Sequence, residues 1–199
     1  MSSDTLPVAG PVGHLRPPSG TTWSITDYEQ LPEDGLRYEL LDGALRMSPA
    51  PTPDHQASSM LLAFHLLRCL QLRGHGRVFA APLDVELGPA TVVQPDLIVI
   101  LAQSAAVITP RRIVGPPDLI IEISSPSTAS YDRREKRDLY AAAGVREYWI
   151  VDPGNRSIEL LILDDGTYRA ERIYLGQAIV PSTVVTEWDV ATDTLFGTH

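Results

Sequence analysis

PPDLIIEISSPSTASYDRREKRDLYAAAGVREYWIVDP, residues 116–153, decides how this chain folds. Two apolar runs, PDLIIEIS and EYWIVD, bracket a charged segment, and runs of that kind read as strands covered on both faces. Between them Ser127, Thr128 or Ser130 can cap a helix predicted over residues 131–143 and closed by Gly144. Strand, helix and strand in that order predict a right-handed crossover with parallel pairing. Alternation puts Leu119, Ile121 and Ile123 on one side of the first strand, and Ile120, Glu122 and Ser124 on the other. Glu122 thus lies inside an apolar strand, where an ionised carboxylate costs several kcal/mol unless it is paired or holds a metal. On a helical wheel with Asp132 at zero, Lys136 falls at about 40°, Leu139 at about 340°, Tyr140 at about 80° and Ala143 at about 20°. Lys136 therefore shares the apolar stripe, either snorkelling from its edge or reaching a site. Arg133 and Arg137 point elsewhere.

Upstream, TVVQPDLIVIL (residues 91–101) places Pro95-Asp96 directly before a continuous apolar run that reads as a central strand covered on both faces, with Asp96 at its mouth. Short strands are predicted at 78–81 and 83–87, the latter with Asp84 and Glu86 on one face, and residues 102–116 read as a partial helix and loop. In LRYELLDGALRMSP, residues 36–49, the Asp42-Gly43 pair signals a hairpin. Its first arm sets Leu36, Tyr38 and Leu40 against Arg37, Glu39 and Leu41, so Glu39 is either a wet strand carboxylate or an auxiliary site residue. Three prolines lead to a helix capped by Asp54 over 55–72, with Met60, Leu61, Phe64, Leu67 and Leu70 or Cys69 expected on its core face. His55, in its first turn, either caps or reaches an adjacent site. Ser24 or Thr26 can cap a short helix through Gln30. Downstream, a turn over 152–155 precedes a hairpin about Asp164-Asp165-Gly166, and VVTEWDV is expected to end the folded region. Residues 1–20 read as a flexible arm, and 21–199 as a single domain.

The net charge of -9 leaves no global field to attract a polyanion, so any nucleic-acid contact must use a local patch. Arg133, Arg134 and Arg137 offer one, although Asp132, Glu135 and Asp138 between them suit a solvated, ion-paired face equally. The single cysteine, Cys69, has no partner for an internal disulfide and suits an apolar filler. No apolar run is long enough to span a membrane and no secretory leader is evident, so a cytoplasmic location is expected.

Asp96, Glu122 and Lys136 form a chemically coherent set. Carboxylates on adjacent strands suit a hard cation such as Mg²⁺ or Mn²⁺, and a lysine beside it can orient water or stabilise phosphate charge. The set fits metal-assisted hydrolysis of a phosphodiester. Pro95-Asp96 followed by Glu122-Ile123-Ser124 resembles the signature of the PD-(D/E)XK nucleases, with serine where the lysine is usual. YELLDG, QPDLIVI and the opening stretch closely resemble the Uma-two family of restriction-like endonucleases, over roughly Tyr38 to Pro153. That resemblance implies an α/β (mixed α+β) restriction-endonuclease-like core, a mixed central sheet flanked by helices. It implies Asp96 and Glu122 as ligands of Mg²⁺ or Mn²⁺, Lys136 in place of the lysine absent at Ser124, and Glu39 as an additional metal or water contact. His55 and Ser124 are auxiliary candidates, DNA the expected substrate, and a homodimer follows by analogy. Two competing readings remain: a binding or interaction module on the nuclease fold that no longer cleaves, favoured by the acidic pI and displaced lysine, and a hydrolase of another phosphate-containing substrate.

Overall fold

The computed structural model describes residues 22–32, 35–48, 50–124 and 131–197; the expected arm at 1–20 and the capping run at 125–130 lie outside them. Ser24 caps α1 (Ile25–Tyr28) through a capping box with Asp27. Strands β1 (Arg37–Leu41) and β2 (Ala44–Ser48) pair across Asp42 and Gly43, whose φ values of 46° and 79° suit a two-residue hairpin turn. Thr52, not Asp54, caps α2 (Pro53–Cys69): its hydroxyl accepts the His55 N–H, and Pro53 takes the first helical position, where its missing N–H costs nothing. Then follow β3 (Gly76–Ala80), β4 (Val85–Gly88), β5 (Thr91–Val93), β6 (Leu97–Leu101), β7 (Val107–Ile108), β8 (Ile113–Val114) and β9 (Leu119–Ile123). The chain continues through α3 (Tyr131–Ala143), β10 (Glu147–Asp152), β11 (Ser157–Asp164) and β12 (Thr167–Leu175).

The mixed central sheet runs β12-β11-β10-β9-β6-β3, with β9 and β10 parallel across the α3 crossover and the other pairs antiparallel. A second mixed sheet, β2-β1-β5-β4-β8-β7, is an addition to the expected single one. Its existence follows from the hairpin's two faces: Leu41 points one way and Tyr38, Leu40 and Leu45 the other, so both need cover. Leu41, Val85, Val93 and Ile113 pack on Ile98, Ile120, Tyr148 and Ile150 of the central sheet, together with Leu139 and Tyr140 of α3. On the far side of the central sheet, Val99, Ile121, Trp149 and Val151 meet Leu62, Leu66 and Cys69 of α2, and Trp188, Leu195 and Phe196 from the C-terminal segment. Full burial of a leucine or isoleucine contributes about 2 kcal/mol, so these two layers carry most of the fold's driving force.

Three expectations need correction. The buried stripe of α2 is His55, Ser58, Leu62, Leu66 and Cys69, while Met60 and Phe64 stand 73% and 60% exposed. Apolar residues surround this helix, and the two polar members of the true stripe disguise its phase. The connector at 102–116 forms the β7-β8 hairpin rather than a helix. Folded structure also extends past VVTEWDV, because a 3₁₀ turn at Thr192–Leu195 returns Leu195 and Phe196 to the core. Among the described residues no helix is long and apolar enough to cross a membrane.

Glu147 anchors the C-terminal segment and is fully buried. One carboxylate oxygen accepts from Trp149 Nε1 (2.7 Å) and Ser182 Oγ (2.6 Å). The other accepts from Thr183 N and Oγ1 (both 2.7 Å) and Val184 N (3.2 Å).

Candidate active site

The antiparallel register of β6 and β9, in which Leu97 faces Ile121, sets Asp96 across from Glu122. Both follow the parity of Ile98 and Ile120, so both turn toward the layer between the sheets. Asp96 Oδ2 accepts the Ile123 N–H at 2.8 Å and lies 3.0 Å from His55 Nε2, while Oδ1 is 3.6 Å from Arg37 Nη1. Burial pushes the Asp96 carboxyl up, but His55, the Ile123 amide and Arg37 outweigh it and hold the group below the usual aspartate range.

Lys136 is delivered by α3. Its Nζ donates to Glu39 Oε1 at 2.9 Å and to Glu122 Oε1 at 3.0 Å. Glu39 descends from β1 on the second sheet, where the Gln94 N–H also donates to its Oε1 at 2.8 Å. Tyr140, one turn beyond Lys136, donates its hydroxyl to Glu122 Oε1 at 2.6 Å. The cluster thus draws on both sheets and the helix wedged beside them. Burial pushes the Glu122 carboxyl up to about 7; Lys136 opposes the shift, and the charges of Asp96 and Glu39 add to it. For Lys136 burial disfavours the ammonium, yet Glu122 and Glu39 prevail and hold it above the usual lysine range. Of the chain's 16 lysines and arginines, this one alone is lysine. A compact ammonium reaches two carboxylates at the end of a flexible stem, where the planar guanidinium fork would not fit equally.

Glu39, Asp96, Glu122 and Lys136 come together, and His55 joins through Asp96; the imidazole Nδ1 is buried and makes no hydrogen bond among the described residues. Ser124 closes β9, its N–H donating to the Val151 carbonyl at 2.7 Å. Arg137 donates to the Tyr168 carbonyl at 2.7 Å, tying α3 to β12, and the side chain of Arg133 lies outside the described residues. Sequence reasoning passed over Tyr140 and Arg37. Tyr140 had a signal, standing four residues after Lys136; Arg37 shares the Glu39 face of β1 and donates Nη2 to the Gln94 carbonyl at 2.9 Å.

The donors suit a hard divalent ion. Asp96 and Glu122 offer carboxylate oxygens from adjacent strands, and among the described residues the Oδ1 of Asp96 carries only the long Arg37 contact. Among the described residues no three His, Cys, Asp or Glu side chains gather as a ready-made metal cluster. Two carboxylates suffice for Mg²⁺, which is commonly held by one or two and keeps several waters.

The profile of the Uma2 family, described as "Putative restriction endonuclease", matches residues 25–193. No curated protein matches the sequence significantly. A solved protein from Anabaena variabilis, described as "a putative nuclease belonging to DUF820", superposes with a TM-score of 0.74 at 18% identity, covering 86% of this chain and 96% of its own. At that identity the likeness speaks to the fold, and the fold is a nuclease-like one. With its family profile matched from the first helix to the final 3₁₀ turn, the chain belongs to the Uma2 family.

Proposed function

We propose that this chain is a metal-dependent DNA endonuclease hydrolysing phosphodiester bonds, with Asp96 and Glu122 holding Mg²⁺ or Mn²⁺ and Lys136 assisting the attacking water. The observation that carries this reading is the Lys136 ammonium seated between Glu39 and Glu122, on the same inward face as Asp96. Bound there, the metal would polarise the scissile phosphate and acidify a water. The raised pKa of Lys136 keeps it protonated at neutral pH, so it serves as donor and positive charge rather than as general base. Glu39 holds the ammonium in place and offers a carboxylate to the water's proton. His55 and the Ile123 amide fix one oxygen of Asp96, leaving the other turned to the site. Tyr140 fixes Glu122.

Nicking of supercoiled plasmid in Mg²⁺ or Mn²⁺ tests the assignment. Asp96→Ala, Glu122→Ala and Lys136→Ala are each expected to cut on the order of 10³-fold more slowly than wild type. Equal cleavage by all four proteins removes these residues from the mechanism. Wild type that binds DNA and never nicks it favours the non-cleaving binding module.

A further inference from the structure

We propose that Arg37 is the substrate-contacting cation of this site, its Nη1 binding a phosphate oxygen of the nucleic-acid backbone; the inference rests on the nuclease reading above. Arg37 precedes Glu39 by two residues on β1, so the two side chains share a face about 7 Å apart along the strand. One edge of the guanidinium is anchored, since Nη2 donates to the Gln94 carbonyl at 2.9 Å. Among the described residues Nε is buried without a hydrogen bond, and Nη1 keeps a long ion pair, 3.6 Å from Asp96 Oδ1 and beyond hydrogen-bond range.

A guanidinium placed to neutralise Asp96 would close on it as a fork at about 2.8 Å. Asp96 has no need of that, because His55 and the Ile123 amide already serve its other oxygen. The Arg37 side chain is also 24% exposed, which gives it an approach from solvent that the more deeply buried Lys136 lacks. The neighbouring hairpin arginine is committed differently: Arg46 pairs with Glu135 of α3 at 2.7 Å and is buried. Arg37 is thus a pre-oriented, partly open cation beside the proposed metal ligands, in a chain whose net charge of -9 makes local cations the route to a polyanion. Planar donors of this kind suit phosphate oxygens.

The experiment measures binding of a short fluorescein-labelled DNA duplex in Ca²⁺ between about 50 and 200 mM salt, for wild type, Arg37→Gln and Arg37→Lys, after thermal melts establish that each is folded. Arg37→Gln is expected to bind about ten-fold more weakly, and the slope of log K against log salt to fall by about one. Arg37→Lys keeps the charge and is expected to keep the slope. A purely structural arginine would leave all three slopes alike, so a folded Arg37→Gln with wild-type slope and affinity overturns the inference while the nuclease reading stands. If Arg37→Gln does not fold, Arg37→Lys carries the test through cleavage kinetics. There KM is expected to rise about ten-fold with kcat nearly kept, because an ammonium that reaches the phosphate gives up the Gln94 carbonyl and is no longer pre-oriented; an unchanged KM overturns it. Wild type that neither binds nor cleaves DNA removes the nuclease reading and this inference together.

Discussion

Glu122 and Glu147 stand on neighbouring parallel strands, at opposite ends and on opposite faces, and the protein treats the two carboxylates in opposite ways. Glu147 is fully buried and receives five hydrogen bonds from Trp149, Ser182, Thr183 and Val184, all neutral donors that lock a C-terminal segment in place. Glu122 keeps 17% of its side chain exposed and is met, among the described residues, by one ammonium and one phenol, both on the same oxygen. Its neighbours Asp96 and Glu39 are also acids, which raise rather than relieve the cost of ionisation. A carboxylate that is saturated by neutral donors is structural. One left under-satisfied amid like charges, close to solvent and to a lysine, has capacity for chemistry.

The largest expected effect separates the two directly. Glu122→Gln should lower cleavage on the order of 10³-fold with a melting temperature within about 3 °C of wild type. Glu147→Gln turns an amide NH₂ toward donors that need an acceptor and should cost about 3 kcal/mol, or roughly 6–12 °C, with activity per folded molecule unchanged. Equal loss of activity in both, with both folded, breaks the contrast. Next in size, Lys136→Ala leaves Glu39 and Glu122 facing each other without a cation. Beyond its loss of activity, it should be destabilised by about 3 kcal/mol at pH 8 and by less at pH 5, as followed by denaturant melts.

A smaller effect concerns pH in the metal-free protein. Glu122 titrates higher folded than unfolded, so the folded state favours its protonated form. That contribution to stability is complete below about pH 4.5 and is lost as the pH rises through about 7. Denaturant midpoints should fall across that window for wild type and for Glu147→Gln, and less steeply for Glu122→Gln; an identical profile in Glu122→Gln removes the assignment. The smallest effect is Tyr140→Phe, which deletes one hydrogen bond to Glu122: about 1 kcal/mol of stability and about ten-fold in rate, read from melts and nicking.

Much of this site was legible in the chain itself. Strand alternation turned Glu122 away from Leu119 and Ile121, the helical wheel put Lys136 inward, and Pro95-Asp96 stood at the mouth of an apolar run. Local periodicity carries such information because each residue's direction depends only on its own element. Arg37 and His55 were harder, since their roles depend on two elements meeting Asp96 in space. The second sheet was hidden for the same reason: the single register pair joining β1 to β5, Leu40 with Val92, has no local signature. Met60 and Phe64 misled because α2 is apolar on several faces, and only the packed sheet chooses among them. The Glu147 anchor was illegible too, as its donors come from the irregular segment around Ser182–Val184.

The most direct measurement is an anomalous difference map from crystals soaked in Mn²⁺. The expected result is a peak with oxygen ligands from Asp96 and Glu122 at about 2.1–2.2 Å, and the Lys136 ammonium within reach of a bound water. A map with no peak between those carboxylates, from protein that nicks DNA in the same Mn²⁺, would contradict it.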